Sequence, residues 1–241
     1  MKFYVYCVAE GRPSLEGIAV GIAESDLELL EFEGLVAVAS KFDDESVQIS
    51  RANVLRHEAI VRSVLTETTL LPFRFGTVVG EANLRSFLIA RRTALLSRLA
   101  LVRNCIEMSI KIIWQIPSEP TVTQKHERDA EVGAGAAFLL SKRQEILGDE
   151  TLSVKANEIA AWLGSRLDGF VRQAQIAVEP KQKLVLAGSY LIEQSLESKY
   201  REQVAKLKEE RPHLHFLTSG PWPPYTFANI DLEFATHFGV S

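Results

Sequence analysis

Histidines beside carboxylates are the first residues in this sequence that could bind a metal or move protons. His57 and Glu58 are adjacent, but a helical zinc site needs a second histidine one turn later, and the sequence continues Ala59-Ile60-Val61. We therefore expect His57 and Glu58 to form a satisfied pair on the surface of a helix. His213 and His215 would share one face of a strand, but no third ligand is evident in sequence. The sequence thus predicts no metal site.

Nucleophilic and cofactor chemistry also lack a recognisable motif. No Gly-x-Ser-x-Gly elbow occurs, and neither Cys7 nor Cys105 has a histidine beside it in sequence. Both cysteines lie in apolar runs, which favours buried free thiols. The glycine-containing stretches match neither the dinucleotide fingerprint nor the P-loop. We expect no catalytic residue and no cofactor.

Arg74 is unusual because it lies between two phenylalanines, Phe73 and Phe75, in the apolar segment "TLLPFRFGTVV". On a strand its side chain points away from both rings. It is then either a solvated charge at a sheet edge or a buried guanidinium bound to carbonyl oxygens or a carboxylate. The sequence leaves these two alternatives open.

The segment "GPWPPYTF", from Gly220 to Phe227, holds three prolines, one glycine and three aromatic residues. Proline fixes φ and restricts the residue before it, so we expect a stiff, extended segment. We expect it to lock onto the protein's own sheet, with Trp222 mostly buried, Phe227 packed inward and Tyr225 at the rim. The alternative is a preorganised surface for a partner, and the two roles can coexist. The candidate structural and interaction residues are Arg74, Phe75, Gly220, Pro221, Trp222, Pro223, Pro224, Tyr225 and Phe227.

The bulk composition limits the class of protein. The 241 residues are 46% apolar and 24% charged, with a formal net charge of −4, which is typical of a globular protein. This charge gives no electrostatic case for binding nucleic acid or an anionic membrane. No secretory signal and no apolar run of about 18 residues is present. We expect a cytoplasmic protein with one large or two small domains.

Hydrophobic periodicity in the first half predicts a split βαβ arrangement of the ferredoxin-like kind. The expected elements are a strand at 2–9, an irregular crossover within 11–25, a hairpin turning at Glu33-Gly34, a helix capped by Ser50 or Asn53, a strand at 69–79 and a helix over 84–102. Residues 1–103 would form an N-terminal ferredoxin-like domain with an extra C-terminal helix.

The second half predicts a related unit, residues 104–241, which gives an α+β protein of two ferredoxin-like units. A helical hairpin over about 134–178, broken at Gly148-Asp149, would be inserted into this unit and packed beside its sheet. The other expected elements are strands at 105–116, 183–193 and 213–220 and a solvated helix that ends at Pro212. The terminal segment "GPWPPYTF" would belong to this second domain.

Four motifs resemble those of the GvpF/GvpL family of gas vesicle proteins, in the same order along the chain. They are "RHEAIVRSV", "TLLPFRFGTVV", "IEMSIKIIW" and "GPWPPYTF", and "GAAFLLSKRQE" is similar to a further helix of that family. The resemblance covers about residues 1–227. The compact chain without an extended tail suggests the F type rather than the L type.

The resemblance implies a cytoplasmic accessory or minor structural protein of the gas vesicle, a gas-filled buoyancy organelle. Its implied partners are the small hydrophobic shell protein and other accessory proteins, with no nucleic acid, membrane or enzymatic role. One alternative is a regulatory protein that binds a small molecule on a ferredoxin-like sheet. A remoter alternative is an enzyme that uses His57, Glu58 and Arg74.

Overall fold

The structure, a computed structural model, describes residues 1–18, 20–114, 152–181 and 184–230. Two compact units are present: one comprises Met1–Met108, Leu191–Gln194 and Gly220–Ser241, and the other comprises Ser109–Tyr190 and Ser195–Ser219. These units differ from the expected division near Arg103, because Phe227 of the terminal segment lies in the apolar core of the N-terminal residues. The division into domains of residues 1–103 and 104–241 stays a prediction.

The first unit contains an antiparallel sheet in the ferredoxin-like strand order. Its strands are β1 (Lys2–Glu10), β2 (Leu27–Phe32), β3 (Leu35–Lys41), β4 (Leu70–Pro72) and β5 (Val78–Gly80). The order is β2-β3-β1-β4, and β5 also pairs with β1. The helical structure described in the crossover between β1 and β2 is a short 3-10 helix, Ile22–Glu24, so the expected irregular crossover is confirmed.

Strand β1 is the centre of this unit because apolar cores cover both of its faces. Phe3 and Val5 belong to one core, and Tyr4 belongs to the other. A register shift between Val5 and Cys7 interrupts the pairing with β3. The hairpin between β2 and β3 turns at Glu33-Gly34, with φ of 47° and 87°, as the glycine predicts.

The segment "TLLPFRFGTVV" is not the single strand that its composition predicts. Strand β4 ends at Pro72, a turn follows, and β5 begins at Val78. The amide of Thr77 donates to the carbonyl of Arg74. Gly76 has a φ of 96°, which glycine adopts readily. The glycine and the turn hydrogen bond therefore interrupt the strand.

The helices of this unit include α1 (Arg51–Glu67), α2 (Glu81–Ala90) and α3 (Arg92–Val102). Ser50 caps α1, because its hydroxyl accepts from the amide of Asn53 at 3.2 Å. The expected single helix over 84–102 is divided at Arg91, which has a φ of −105° and a ψ of 10°. The predicted apolar face persists across the break, with Leu84, Phe87, Leu88, Leu95, Leu99 and Val102 buried.

The second sheet has the same strand order as the first. Its strands are β6 (Cys105–Trp114), β7 (Val171–Lys181), β8 (Leu184–Glu193) and β9 (Leu214–Trp222), in the order β7-β8-β6-β9. Helix α4 covers residues 152–167, and α5 covers Glu197–Glu210. Short 3-10 helices, Asp168–Phe170 and Gln194–Leu196, precede β7 and α5.

The helix predicted over 152–178 ends at residue 167, and the prediction is wrong for its last part, which is β7. Gly169 lies at this break. Phe170 and Ala174 have helical spacing, but β7 is an edge strand whose residues 172–177 are all exposed. Its side chains therefore carry no burial signal from which a strand could be recognised. The first arm of the predicted hairpin and Gly148-Asp149 lie outside the described residues.

Candidate interaction site

The segment "GPWPPYTF" joins the end of a strand to a short helix. Gly220, Pro221 and Trp222 are the last residues of β9, the peptide bond between Gly220 and Pro221 is cis, and α6 covers Tyr225–Ala228. The carbonyl of Pro224 accepts from the amides of Phe227 and Ala228 at 3.2 and 2.9 Å. The segment is therefore not extended throughout, because a helical turn begins directly after the prolines.

Trp222 is not mostly buried, which corrects the expectation from sequence: 38% of the residue is exposed. The guanidinium of Arg62, on α1, lies 5.8 Å from the centre of the indole ring. This distance is within the range of a cation–π contact. Phe227 is the aromatic residue of the segment that enters the core, with 1% exposed.

Tyr225 points inward to His57, so the expected outward position of Tyr225 is wrong as well. The hydroxyl of Tyr225 lies 3.2 Å from Nε2 of His57, and the hydroxyl of Tyr4 lies 2.8 Å from Nδ1. His57 is only 2% exposed, which corrects its expected place on the helix surface. It lies on the buried face of α1 with Ile60 and Val61. Its polar ring atoms are buried with hydrogen-bond partners.

The hydrogen-bond partners of His57 include tyrosine hydroxyls at both ring nitrogens. The amide of Gly76 donates to the Tyr4 hydroxyl at 3.1 Å. The neutral imidazole of His57 has one donor and one acceptor nitrogen, so its roles toward the Tyr4 and Tyr225 hydroxyls depend on the tautomer. Burial lowers the pKa of His57 to about 4, although the Phe73 carbonyl and Glu58 act in the opposite direction. His57 is therefore neutral at pH 7.

Strand β6 holds the terminal segment at two further points. The Glu107 carboxylate, on a residue only 6% exposed, accepts from the amide and the hydroxyl of Thr226 at 2.8 and 2.6 Å. Gly220 has a φ of 116°, and a Cβ there would lie 2.8 Å from the Glu107 carbonyl oxygen. Sequence reasoning assigned no role to Glu107. A carboxylate among the apolar residues of β6 was the available signal.

Arg74 and Phe75 have different places in this arrangement. The Arg74 side chain is exposed, which agrees with the solvated charge and not with the buried guanidinium. Its carbonyl accepts from the hydroxyl of Thr77 at 2.9 Å. The half-buried Phe75 ring lies with its centre 5.9 Å from that of His57 and 6.2 Å from that of Tyr4. Phe75 thus joins the cluster, and Arg74 contributes its backbone to the neighbouring turn.

Residues from all four motifs found in the sequence therefore meet in the first unit. We call the residues that anchor the segment, Tyr4, His57, Glu107, Tyr225 and Thr226, the anchor network. Its phenols and imidazole are hydrogen-bonded, and its carboxylate accepts two hydrogen bonds, an arrangement suited to fixing the segment. Within the described ranges, no group of three or more side chains of the metal-ligating types occurs.

Two remaining sequence predictions concern small sites. Cys7 and Cys105 are buried free thiols, as expected, and burial raises the pKa of the Cys7 thiol. A cleft of about 280 Å³ is lined by Leu65, Thr66, Glu67, Thr68, Thr69, Val102, Arg103, Asn104, Cys105 and Gln194. This volume is below the range usual for ligand pockets, about 300–1,000 Å³. The small-molecule alternative stays a prediction.

Comparison with known protein sequences finds one matching family and several relatives. The family model described as "Gas vesicle synthesis protein GvpL/GvpF" matches residues 2–229. The chain is 26% identical to gas vesicle protein L2 of Halobacterium salinarum, over 93% of this chain and 90% of that protein. It is 24% identical to gas vesicle protein F1 of the same organism, over 96% and 94%. Relatives of both types match, so the F-type assignment stays a prediction.

Two crystal structures have the same fold. The chain is similar to gas vesicle protein GvpF from an Anabaena species, with a TM-score of 0.76, 21% identity and 94% and 95% of the two chains covered. It is also similar to GvpF from Microcystis aeruginosa, with a TM-score of 0.74, 22% identity and 94% and 98% covered. These likenesses confirm the predicted α+β class. Among the described helices, none combines the length and the apolar character of a membrane span.

Proposed function

The chain belongs to the GvpL/GvpF family of gas vesicle synthesis proteins, which take part in forming the vesicle, and we propose that it does so by binding the hydrophobic shell protein and other accessory proteins in the cytoplasm. The family is one of structural or accessory proteins and not a known enzyme class. The observation that carries the proposal is Trp222, which stays 38% exposed although its segment is anchored on both sides.

The anchor network supports this proposal because it fixes the segment before any partner arrives. Pro223 and Pro224 are buried on one side of Tyr225, and Phe227 is buried on the other. Tyr225 and Thr226 between them bind His57 and Glu107. A side chain on such a rigid segment loses little conformational entropy on binding.

Exposed residues of α1 at helical spacing from Arg62 extend this surface along the helix. Arg62 stacks on the Trp222 ring, and Glu58 pairs with the same arginine. Leu55 and Ala59 precede Arg62 by seven and three positions on the helix, and both are exposed, Leu55 by 53%. We call Leu55, Ala59, Arg62 and Trp222 the tryptophan surface. Tryptophan and arginine are the residue types most enriched among the energetic centres of protein interfaces.

A hydrophobic shell protein is the partner that this surface suits best. An exposed indole and leucine offer apolar area, and the guanidinium offers directed hydrogen bonds at its edge. The test is the Trp222→Ala variant of a tagged chain, coexpressed with the shell protein and captured from the cells. We expect at least about a tenfold reduction of captured shell protein, the usual effect of removing a central interface tryptophan.

Leu217→Ala is the matched control, because Leu217 lies on the same strand β9 and is 55% exposed. This control should capture shell protein as the unaltered chain does. Thermal midpoints of both variants must be recorded, so that unfolding is not mistaken for lost binding. Unchanged capture by the folded Trp222→Ala variant would remove the tryptophan surface from the proposal. No capture by the unaltered chain would contradict shell binding itself.

A further inference from the structure

The helix pair α2–α3 carries a positive charge that the rest of the chain does not share. Residues 81–103 contain five arginines and one glutamate, a net charge of +4, whereas the whole chain carries −4, so the rest carries −8. The arginines are Arg85, Arg91, Arg92, Arg98 and Arg103, all exposed or half-exposed. We call them the arginine face. From this face we infer a second binding surface, which docks a carboxylate-rich surface of another gas vesicle accessory protein; this inference rests on the proposed function.

Two arginines of the arginine face, Arg92 and Arg103, already contact other residues of the first unit. Arg92 donates to the backbone carbonyl of Glu33 at 2.9 Å, and Arg103 pairs with Glu10. Arg85 is held differently, because its guanidinium lies over the Phe32 ring at 4.8 Å. A guanidinium stacked on a ring keeps its edge donors available and is ordered before binding.

Arg85 and Arg91 therefore supply charge that the unit does not itself neutralise. Neither forms an ion pair with any of the residues that the structure describes. Ile89, between them in sequence, is 47% exposed and offers an apolar contact. A concavity of about 490 Å³, lined by Met1, Gly80, Glu81, Ala82, Asn83 and Arg85, lies beside the N-terminus of α2. Arg85 lines this concavity and Ile89 follows it by four positions on α2, so charge, apolar area and a depression adjoin there.

The charge and the residue types select a carboxylate-rich protein as the occupant. Arginine binds carboxylates through two parallel hydrogen bonds, and all five cations of this face are arginines. A nucleic acid fits this surface less well than a protein does, because no exposed aromatic side chain of α2 or α3 can stack on a base. The one aromatic residue of these two helices, Phe87, is fully buried.

The test compares the full chain with Arg85→Glu/Arg91→Glu and with a control, Lys155→Glu/Lys206→Glu. The control makes the same charge change at exposed lysines of α4 and α5, in the other unit. The probes are the other purified accessory proteins encoded with the shell protein, tested singly by interferometry at low and high salt. We expect one of them to bind the arginine variant at least about tenfold more weakly than the control, with an affinity that falls as salt rises.

Equal affinities of the two variants for every accessory protein, or no binding by the unaltered chain, would overturn this inference. The inference would also be overturned if the arginine variant bound an RNA oligonucleotide or phosphatidylglycerol vesicles more weakly than the control but bound every accessory protein equally well. The shell protein is captured in parallel, since its retention by the arginine variant separates this surface from the tryptophan surface. If charge reversal lowers the thermal midpoint, Arg85→Gln/Arg91→Gln provides the same comparison.

Discussion

His57 gives the first unit a pH dependence whose direction follows from burial. Its pKa is lowered to about 4 in the folded chain and is about 6.5 in the unfolded chain. The unfolded state therefore binds the proton first, so the stabilisation is complete above about pH 6.5 and is lost as pH falls toward about 4. Between pH 7 and pH 5, we expect His57 to account for about 2 kcal/mol of lost unfolding free energy.

Urea denaturation of the unaltered chain and His57→Gln, at both pH values, measures this contribution. Glutamine can still donate and accept hydrogen bonds but does not titrate in this range. The variant should lose about 2 kcal/mol less than the unaltered chain on acidification. Equal losses in the two proteins would contradict a buried neutral histidine, because carboxylates common to both would then explain the whole effect.

Two buried tyrosines should respond differently when their hydroxyls are removed. Tyr4→Phe leaves the Gly76 amide and Nδ1 of His57 without their partner, at a cost of about 1–3 kcal/mol. The Tyr200 hydroxyl is buried and has no hydrogen-bond partner among the described residues. Tyr200→Phe should therefore leave the unfolding free energy unchanged or raise it by about 1 kcal/mol. A similar loss in both variants by urea titration would contradict this contrast.

At the scale of elements, the junction of β6 with the terminal segment requires a glycine. Gly220 combines a φ of 116° with a Cβ position 2.8 Å from a carbonyl oxygen of β6. Gly220→Ala should lower the unfolding free energy by more than about 2 kcal/mol, because both the backbone and its neighbour must move. Gly164→Ala is the control, since α4 has open space at that position.

The control should raise the unfolding free energy by about 0.5–1 kcal/mol, the usual gain from alanine in a helix. Both values come from urea titrations at one pH. A Gly220→Ala variant as stable as the unaltered chain would show that the junction tolerates a side chain. The close approach of segment and strand would then not be what fixes the segment.

The type of an element could be predicted from the sequence where at least one of its faces is buried, and it could not be predicted where its residues are exposed. The apolar face of α2 and α3 was found position by position, because burial repeats with the helical period. Strand β7 was mistaken for helix, since exposed residues 172–177 carry no alternation set by burial. The sheet order of each unit followed from the order of strands and helices along the chain.

The candidate site was predicted as a set of motifs but not as an arrangement. His57 and Tyr225 are 168 positions apart, and nothing local to either residue predicts that their polar atoms meet. The same limit explains the exchanged positions of Trp222 and Tyr225. The sequence predicted that Trp222 and Phe227 would face inward, and Phe227 does enter the core. Whether Trp222 or Tyr225 also turns inward depends on where the segment turns into α6.

For the whole molecule, stability and vesicle formation should separate between the two ends of the terminal segment. Phe227 is 1% exposed in the apolar core, and truncating such a residue costs about 3–5 kcal/mol. A domain has only about 5–15 kcal/mol of stability, so Phe227→Ala should lower the thermal midpoint strongly. Vesicles should then be lost because folded protein is lost.

Trp222→Ala should behave differently, because the indole is partly solvated and stacks on a surface arginine. We expect a stability loss of about 1–2 kcal/mol, from partial burial and the cation–π contact. Folded protein should remain at normal levels while vesicles, counted by electron microscopy in cells that carry the gene cluster, become few. Soluble protein level and thermal midpoint are measured on the same strains. A midpoint lowered as far as in Phe227→Ala would instead show that Trp222 acts as an internal lock, because its loss would then act through folding rather than through a partner.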